Sequence, residues 1–264
     1  MTVGSVKTRR VRRGLYLGIG SWLAFVAVVV VVWQAVVSVF GIATYLIPGP
    51  LDVAATVITR SDTLSHATGT TFLEATAGFL LGNVVAVIAA IVVASSVSAA
   101  RLVLPIALGL RSTPIIAITP FLTLLFGYTL TTAAVIVGLI VFFPTVVNGV
   151  LGFRSASPEW LDYMHVIDAS PGQVLRYVRI PAAMPPLFTA FRIGAASAIL
   201  GAMVAEWVTT GTGLGHMIFI AGIHFDASLA WAGILVATVA TFAAISVIAL
   251  VEKMVAPWAQ EPAL

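Results

Sequence analysis

Long apolar runs separated by short polar segments dominate the chain. Six stretches are long enough to be membrane spans, at residues 15–40, 69–94, 102–127, 129–150, 185–207 and 228–251. A helix needs roughly 20 apolar residues to cross the hydrocarbon core of a bilayer. The run from Val26 to Val32 does not alternate between apolar and polar positions, as a strand of a membrane barrel would. The pattern therefore predicts an all-α, polytopic membrane bundle with six transmembrane helices.

Composition agrees with a lipid environment. Of the 264 residues, 60% are hydrophobic and 9% are charged, whereas soluble domains carry about 25% charged residues. There is no cysteine, which excludes disulfides, iron–sulfur clusters and a cysteine nucleophile. The net charge of +3 does not indicate nucleic-acid binding, because the basic residues follow membrane topology.

Lysine and arginine predict the orientation, since they collect in cytoplasmic loops. With the N-terminus in the cytoplasm, the external loops hold only Arg60, and Arg111 and Arg192 fall within apolar segments. The remaining ten basic residues lie inside: Lys7, Arg9, Arg10, Arg12, Arg13, Arg101, Arg154, Arg176, Arg179 and Lys253. We therefore expect a multi-pass membrane protein with both termini in the cytoplasm.

The segments suggest one domain, residues 1–264, with a core at 69–251 and an additional first helix at 15–40. That first apolar run is too long for a signal peptide, whose apolar region has about 7–15 residues, so we expect it to be retained. The longest external loop spans 41–68 and opens with Pro48-Gly49-Pro50, a turn sequence. Its apolar positions predict a short amphipathic helix on the membrane surface.

The longest polar stretch, residues 151–184, carries strong helix-start signals. Ser157, Pro158 and Glu159 are typical of an N-cap, a first-turn proline and a first-turn acid. The first helix is expected to run to about Asp168. Ser170 and Gln173 have the spacing of a capping box for a second helix, expected to end near Ile180 because Pro181 follows.

These signals predict a cytoplasmic hairpin of two short helices. Trp160, Met164 and Ile167 lie at i, i+4 and i+7, on one face of the first helix. Aromatic and methionine side chains among charges are typical of a docking surface. Spacing alone leaves open the alternative that the hairpin packs back on its own helix ends.

Residues 162–170, followed by 180–185, resemble the coupling loop of binding-protein-dependent ABC importer permeases. That loop reads Glu-Ala-Ala, three residues and Gly, with a downstream Leu-Pro. In order along residues 45–255, the resemblance also includes 110–114, 142–144 with Asn148, 192–194, 205–206 and 213–215. It is closest to the nitrate-, sulfonate- and taurine-type permeases. The continuation at 187–192 resembles the branch for thiamine-pyrimidine and riboflavin-type precursors.

The loop departs from the family pattern at several positions. Asp162 replaces the glutamate, Tyr163 and Met164 replace the alanines, and Asp168 replaces the glycine. Pro171-Gly172 still supplies a turn. The resemblance assigns ATPase coupling to Glu159, Trp160, Asp162, Tyr163, Met164, His165, Asp168, Ala169, Ser170, Pro171 and Gly172.

The resemblance also implies a location in the bacterial inner membrane, partners and a mechanism. The coupling helix would sit in a groove of a cytoplasmic ABC ATPase dimer, whose closure would swing two permease copies, identical or paralogous, between inward- and outward-open states. An extracytoplasmic binding protein would deliver the solute. No cofactor would be bound by this chain, since ATP and magnesium would belong to the ATPase.

Ionisable groups within apolar segments are candidates for function, because each costs at least about 2.5–3.5 kcal/mol at a helix centre. Glu74, Arg111 and Glu206 qualify, and with Asn148 they are the predicted contacts to substrate or binding protein. Each has a structural alternative: Glu74 at the interface, Arg111 extending to the cytoplasmic side, and Glu206 at the outer end of its helix.

No catalytic or metal site is predicted. The histidines lack ligand spacing, no Walker motif is present, and the glycines at 211–215 follow no strand, so the phosphate-loop interpretation fails. A secondary transporter would need inverted repeats and mid-membrane carboxylates, and an intramembrane enzyme would need a nucleophile or a metal. We expect a permease for a thiamine-pyrimidine- or riboflavin-like nutrient, or otherwise for sulfonate, taurine or nitrate.

Overall fold

A computed structural model describes Ser21, residues 24–208 and residues 211–259. All regular elements in this part of the chain are helical, which confirms the all-α class. The helices are α1 Ala24–Val39, α2 Pro50–Thr59, α3 Ser61–Ser95, α4 Val97–Ser112, α5 Ile115–Phe126, α6 Leu130–Arg154, α7 Pro158–Val166, α8 Pro171–Val174, α9 Ile180–Glu206, α10 Gly213–Ile223 and α11 Ala227–Val255. A π-helical turn, Leu175–Arg179, joins α8 to α9.

Within the described residues, four helices are long and apolar enough to cross a membrane: α3, α6, the continuous run Pro171–Glu206, and α11. They coincide with four predicted spans. Helix α1 is shorter than a span over its described residues, and the start of that predicted span, at 15–20, 22 and 23, lies outside them. The count of six is therefore only partly confirmed.

The predicted third span, 102–127, is not one continuous helix. Helices α4 and α5 meet at 101°. Pro114 disfavours helical backbone at the preceding residue, and Thr113 is accordingly extended, with φ −83° and ψ 130°. Pro114 therefore explains the break. The predicted span was based on hydrophobic length alone, which does not take a proline into account.

The predicted external loop contains α2, which begins with Pro50 at its first position. The Asp52 carboxylate accepts a hydrogen bond from the Gly49 backbone N–H at 3.0 Å, which caps the helix. Val53 is buried, whereas Ile58 on the same helix is exposed. Helix α3 begins at Ser61, eight residues before the predicted 69, so the loop is shorter than expected.

Contacts group the described residues into two compact units. One contains the described residues up to Ser61 together with Ala221–Ala232, and the other contains the described residues from Asp62 to Ile220 together with those from Gly233 onward. Within the first unit, the rings of Trp33 and Trp231 lie 5.0 Å apart. The second unit holds the candidate functional residues.

Small residues let the helices of the second unit approach closely. A Cβ added at Gly78 would overlap Val137 Cβ, and one added at Gly82 would lie 2.6 Å from the Gly138 carbonyl oxygen. These two glycines therefore form a GxxxG contact between α3 and α6. Beside it, the Thr145 hydroxyl donates to Asn83 Oδ1 at 2.6 Å, an interhelical bond in the apolar interior.

Candidate functional site

As predicted, the segment after α6 starts a helix after Ser157, but this N-cap residue makes no capping hydrogen bond to the helix. Ser157 is the N-cap of α7 and Pro158 its first residue. The Ser157 hydroxyl does not accept from the helix backbone; it donates to Glu159 Oε2. This bond lowers the pKa of the Glu159 carboxyl, so that a negative charge stands at the positive end of the helix dipole.

The last helical residue of α7 is Val166, slightly before the predicted end at about Asp168. Asp168 lies in the turn that ends the helix. The Asp168 N–H bonds the His165 carbonyl at 3.0 Å, and the Ala169 N–H bonds the Met164 carbonyl at 2.9 Å. This pair of bonds forms a Schellman motif, in which the first residue after the C-cap has a left-handed backbone conformation. Asp168 supplies it with φ 51°. The aspartate thus adopts the backbone conformation that a glycine would adopt at lower cost.

We expect Asp168→Gly to stabilise the end of α7, by up to about 1 kcal/mol, because glycine removes the left-handed strain. Asp162→Gly is the matched control: it makes the same change inside α7 and should destabilise the helix by about 0.3 kcal/mol, the difference between the helix propensities of aspartate and glycine. Hydrogen exchange of the α7 amides would slow in the first variant and accelerate in the second. Faster exchange in both would contradict this explanation of Asp168.

The second leg of the hairpin begins with the predicted capping box. The Ser170 N–H donates to Gln173 Oε1 at 2.7 Å, and the Gln173 N–H donates to Ser170 Oγ at 3.4 Å. Pro171 is the first helical residue, and the exposed Gly172 has open space around it.

The predicted end near Ile180 is wrong, because the helix continues through the π turn to Glu206. The Ile180 N–H bonds the Leu175 carbonyl, five residues back. This wider turn gives room to the ring of Pro181, which would clash with the carbonyl four residues earlier in a regular α-helix. The hairpin is therefore one short helix, α7, joined directly to a membrane-spanning helix.

Two further prolines leave carbonyls without helical partners, because Pro185 and Pro186 have no N–H. The Pro181 carbonyl instead accepts from the Trp258 indole N–H at 3.4 Å. The Ala182 carbonyl accepts from the Ser155 hydroxyl at 3.5 Å. Hydrogen-bond donors from outside α9, Trp258 and Ser155, therefore satisfy two carbonyl groups near the start of α9.

The face of α7 is largely uncovered. Trp160 and Tyr163 are 62% and 55% exposed, and their rings contact edge to face at 6.1 Å. Val166 and Ile167 extend this apolar surface. Of the predicted stripe, only Met164 packs inward, at 7% exposure. The other predicted coupling residues surround it: Glu159, Asp162, His165, Asp168, Ser170, Pro171 and Gly172 are exposed and Ala169 is half-buried.

Two of the four predicted pathway residues, Arg111 and Asn148, line one cavity of about 590 Å³. It lies where α4 breaks from α5, and α6 and α9 form the other walls. The Arg111 guanidinium lies 4.9 Å from the centre of the Phe143 ring. Asn148 Nδ2 donates to the Pro144 carbonyl at 2.8 Å. Ser197 adds a half-buried hydroxyl. The sequence did not identify Phe143 or Ser197 as pathway residues, because they come close to Arg111 only through the bend between α4 and α5.

Glu206, the third predicted pathway residue, is fully buried. Its Oε1 accepts from the Thr71 hydroxyl at 2.5 Å, and its Oε2 accepts from the Gly215 N–H at 2.5 Å. Thr71 Oγ1 in turn accepts from the Leu214 N–H at 2.8 Å. The carboxyl group therefore caps the N-terminus of α10 and ties it to α3 and α9.

Glu74, the fourth, is also buried. It lies close to Glu206, and its Oε2 has no hydrogen-bond partner among the described residues. Because α3 begins at Ser61, Glu74 lies deep in the helix and not one turn from its start. Neither carboxyl group reaches an open surface in this conformation, and their contact with substrate or binding protein stays a prediction.

The glycines at 211–215 have a structural explanation. Gly213 has φ +94°, and a Cβ there would overlap the Glu206 carboxyl carbon. A Cβ at Gly215 would overlap the Met203 carbonyl oxygen. This run therefore lets the start of α10 close on Glu206. Thr71 was not predicted as its partner, since the two residues are 135 positions apart in sequence.

The sequence family agrees with this architecture. Residues 82–260 match the family described as "Binding-protein-dependent transport system inner membrane component". The chain belongs to this family, whose members are the non-catalytic, multi-pass permease subunits of ABC transporters and work with a separate ATPase and a substrate-binding protein. The predicted family and the non-catalytic role are thereby confirmed.

Individual relatives span most of the chain. A probable ABC transporter permease protein of Haemophilus influenzae is 33% identical over 214 residues, covering 81% of this chain and 87% of that protein. The riboflavin transport system permease protein RibX of Chloroflexus aurantiacus is 31% identical over 230 residues, covering 86% of each. The putative aliphatic sulfonates transport permease protein SsuC of Bacillus subtilis is 26% identical over 235 residues, covering 88% and 85%.

A solved structure shares the fold. A chain of the inward-facing MetNI methionine ABC transporter superposes with a TM-score of 0.59 over 76% of this chain and 96% of that chain. The two sequences are 19% identical, so the match supports the helical arrangement and carries no information on substrate.

Proposed function

We propose that this permease forms the translocation pathway for a small solute that an extracytoplasmic binding protein delivers, and that α7 with the Ser170 cap is the contact to the ATPase. The observation that carries the proposal is the exposed aromatic surface of α7, which lies between a start at Pro158 and a Schellman end.

The geometry suits the transmission of force. Each end of the connection between α7 and α8 is fixed by backbone or capping hydrogen bonds, and the second leg continues without interruption into a membrane-spanning helix. A push on α7 would therefore reach α9 through continuous helix. Such a rigid lever acting on a packed helical bundle is how a local closure becomes a change between two global states.

The proposed topology follows the positive-inside rule. Arg154, Arg176 and Arg179 flank α7 and favour a cytoplasmic position for it, with both termini on the same side. A second permease copy, identical or paralogous, would complete the pathway. The bundle's small-residue contacts, as at Gly78 and Gly82, suit a membrane protein that moves between conformations without large voids.

The relatives support two substrate classes. RibX bears the name of a riboflavin permease and SsuC that of an aliphatic sulfonate permease. The resemblance at residues 187–192 favours a heterocyclic nutrient of the thiamine-pyrimidine or riboflavin type. Sulfonate, taurine or nitrate is the second class, and the charge of Arg111 in the cavity at the α4–α5 break favours it.

Reconstitution tests the proposal directly. The permease would be purified with its ATPase, placed in nanodiscs and supplied with its binding protein loaded with thiamine pyrimidines, riboflavin, sulfonates, taurine or nitrate. We expect one loaded form to stimulate ATP hydrolysis several-fold over the empty binding protein. Uptake into proteoliposomes that proceeds without nucleotide, driven by an ion gradient, would establish the secondary-transporter alternative instead.

A further inference from the structure

We propose that the cavity at the α4–α5 break is a solute-binding site for a small organic anion, and that Arg111 determines this selectivity. The inference rests on the proposed transport function and names its substrate class. At about 590 Å³, the cavity lies within the range of small-molecule sites, roughly 300–1,000 Å³.

The positive charge in this cavity is uncompensated. Among the described residues, Arg111 forms no salt bridge, whereas Arg192 pairs with Glu252 at 2.9 Å. The described residues that line the cavity include no acid. The contact of Arg111 with the Phe143 ring covers one face of the guanidinium, and leaves its edge of N–H donors for a ligand.

The start of α5 adds to the same potential. Ile115 lines the cavity and is the first residue of this twelve-residue helix. Its N-cap, Pro114, has no side-chain acceptor, and the first backbone bond is made only by the Ala117 N–H, to the Pro114 carbonyl at 2.9 Å. Uncapped amides at a helix N-terminus favour an anion. A guanidinium and a helix N-terminus therefore meet at one cavity, and both recognise negative charge.

The remaining lining limits the size and character of the ligand. The Asn148 amide and the Ser197 hydroxyl each donate to a backbone carbonyl of their own helix, those of Pro144 and Ile193, and aliphatic side chains form most of the rest. A carboxylate or sulfonate on a short organic body matches this distribution. A large uncharged ring system would leave the guanidinium without a counter-charge.

Because the chain has no cysteine, a single introduced thiol can report the potential in the cavity. Ser197→Cys would be reacted, in the permease–ATPase complex in nanodiscs, with the anionic sulfonatoethyl and the cationic trimethylammonioethyl methanethiosulfonates. We expect the anionic reagent to react faster, and the anion-to-cation rate ratio to fall about tenfold when Arg111→Gln is added. Arg111→Lys should retain most of the ratio. Ser65→Cys, on the exposed start of α3, is the control whose ratio Arg111→Gln should leave unchanged.

Protection by ligands identifies the class. Ethanesulfonate should slow labelling of the Ser197→Cys variant, and riboflavin at the same concentration should not. A ratio unaffected by Arg111→Gln, a thiol unreactive to both reagents, or stronger protection by riboflavin would each overturn the proposal. A ratio that falls equally in the Ser197→Cys and Ser65→Cys variants would show a general structural effect of Arg111 and overturn it too. These labelling measurements need no ATP hydrolysis. A negative result would therefore overturn the anion site without deciding the proposed transport function.

Discussion

Reversing the charge of Asp162 is expected to abolish ATP-driven transport while the permease still inserts and folds. Asp162 is exposed on α7 and, in the described part of the chain, its side chain makes no hydrogen bond or ion pair. Surface substitutions of this kind change stability by about 0.5 kcal/mol or less. A lysine forced into an interface that accommodates an acid, by contrast, is desolvated without a partner and costs about 2–5 kcal/mol.

The measurement is uptake and ATPase co-purification by Asp162→Lys, with Asp168→Lys in parallel. We expect at least tenfold less ATPase bound and transport near background, with membrane expression equal to that of the wild type. Asp62→Lys, an exposed acid at the start of α3, is the matched control and should transport normally. Normal transport and ATPase binding by both hairpin variants would remove α7 from the coupling role.

Trp160→Ala separates apolar anchoring from charge on the same surface. The ring is 62% exposed and contacts Tyr163, so its removal leaves no cavity in the permease. Exposed tryptophans that anchor interfaces cost about 2 kcal/mol or more when truncated. A variant that folds but loses ATPase binding would show that the aromatic pair is buried in the complex, and unchanged binding would assign the pair to another role.

Placing a methyl group at Gly215 is expected to prevent stable folding. The added Cβ would overlap the Met203 carbonyl oxygen, and this backbone atom cannot rotate away. Helix α10 would have to separate from α9, which would break the bond from the Gly215 N–H to Glu206. Overpacking alone costs about 1–3 kcal/mol, and a buried carboxyl group that loses a donor adds about 1–3 kcal/mol.

Gly222→Ala is the control for this prediction, since it lies in the same helix and a Cβ there would meet nothing within 4 Å. Thermal unfolding followed by size-exclusion chromatography should show Gly215→Ala aggregated or lowered in Tm by many degrees. Gly222→Ala should equal the wild type or exceed it slightly, because alanine favours helix. Equal Tm values for the two variants would show that α10 can move away from α9 at little cost.

The coupling segment shows how far capping signals predict structure. Ser157-Pro158-Glu159 and Ser170 with Gln173 act within a few residues of backbone, so they fix helix starts regardless of the surrounding fold. Helix ends were predicted less well. Asp168 did not indicate a left-handed residue as a glycine would have. Pro181 indicated a helix stop that does not occur, because a π turn accommodates its ring.

The candidate sites show the same difference between residues that a local signal identifies and surroundings that only the fold determines. Arg111 was identified because a charge in an apolar run is costly and therefore informative, and Asn148 was identified through the family resemblance. Their partners Phe143 and Ser197 carry no such signal among many apolar and small residues. Glu206 was identified for the same reason as Arg111, but its environment was not: its burial depends on Thr71 and on the approach of Gly213 and Gly215.

By itself the sequence determined that this chain is a helical membrane permease, which way it was expected to face, and where its cytoplasmic helices begin. Those properties follow from hydrophobic length, basic-residue placement and short-range capping, all of which act locally. Only the tertiary structure decided that α4 and α5 bend to open a cavity beside Arg111 and that Glu206 is a buried helix cap. Pro114 breaks the helix locally, but the cavity walls from α6 and α9 and the contact of Glu206 with Thr71 join residues tens of positions apart, which local patterns do not encode.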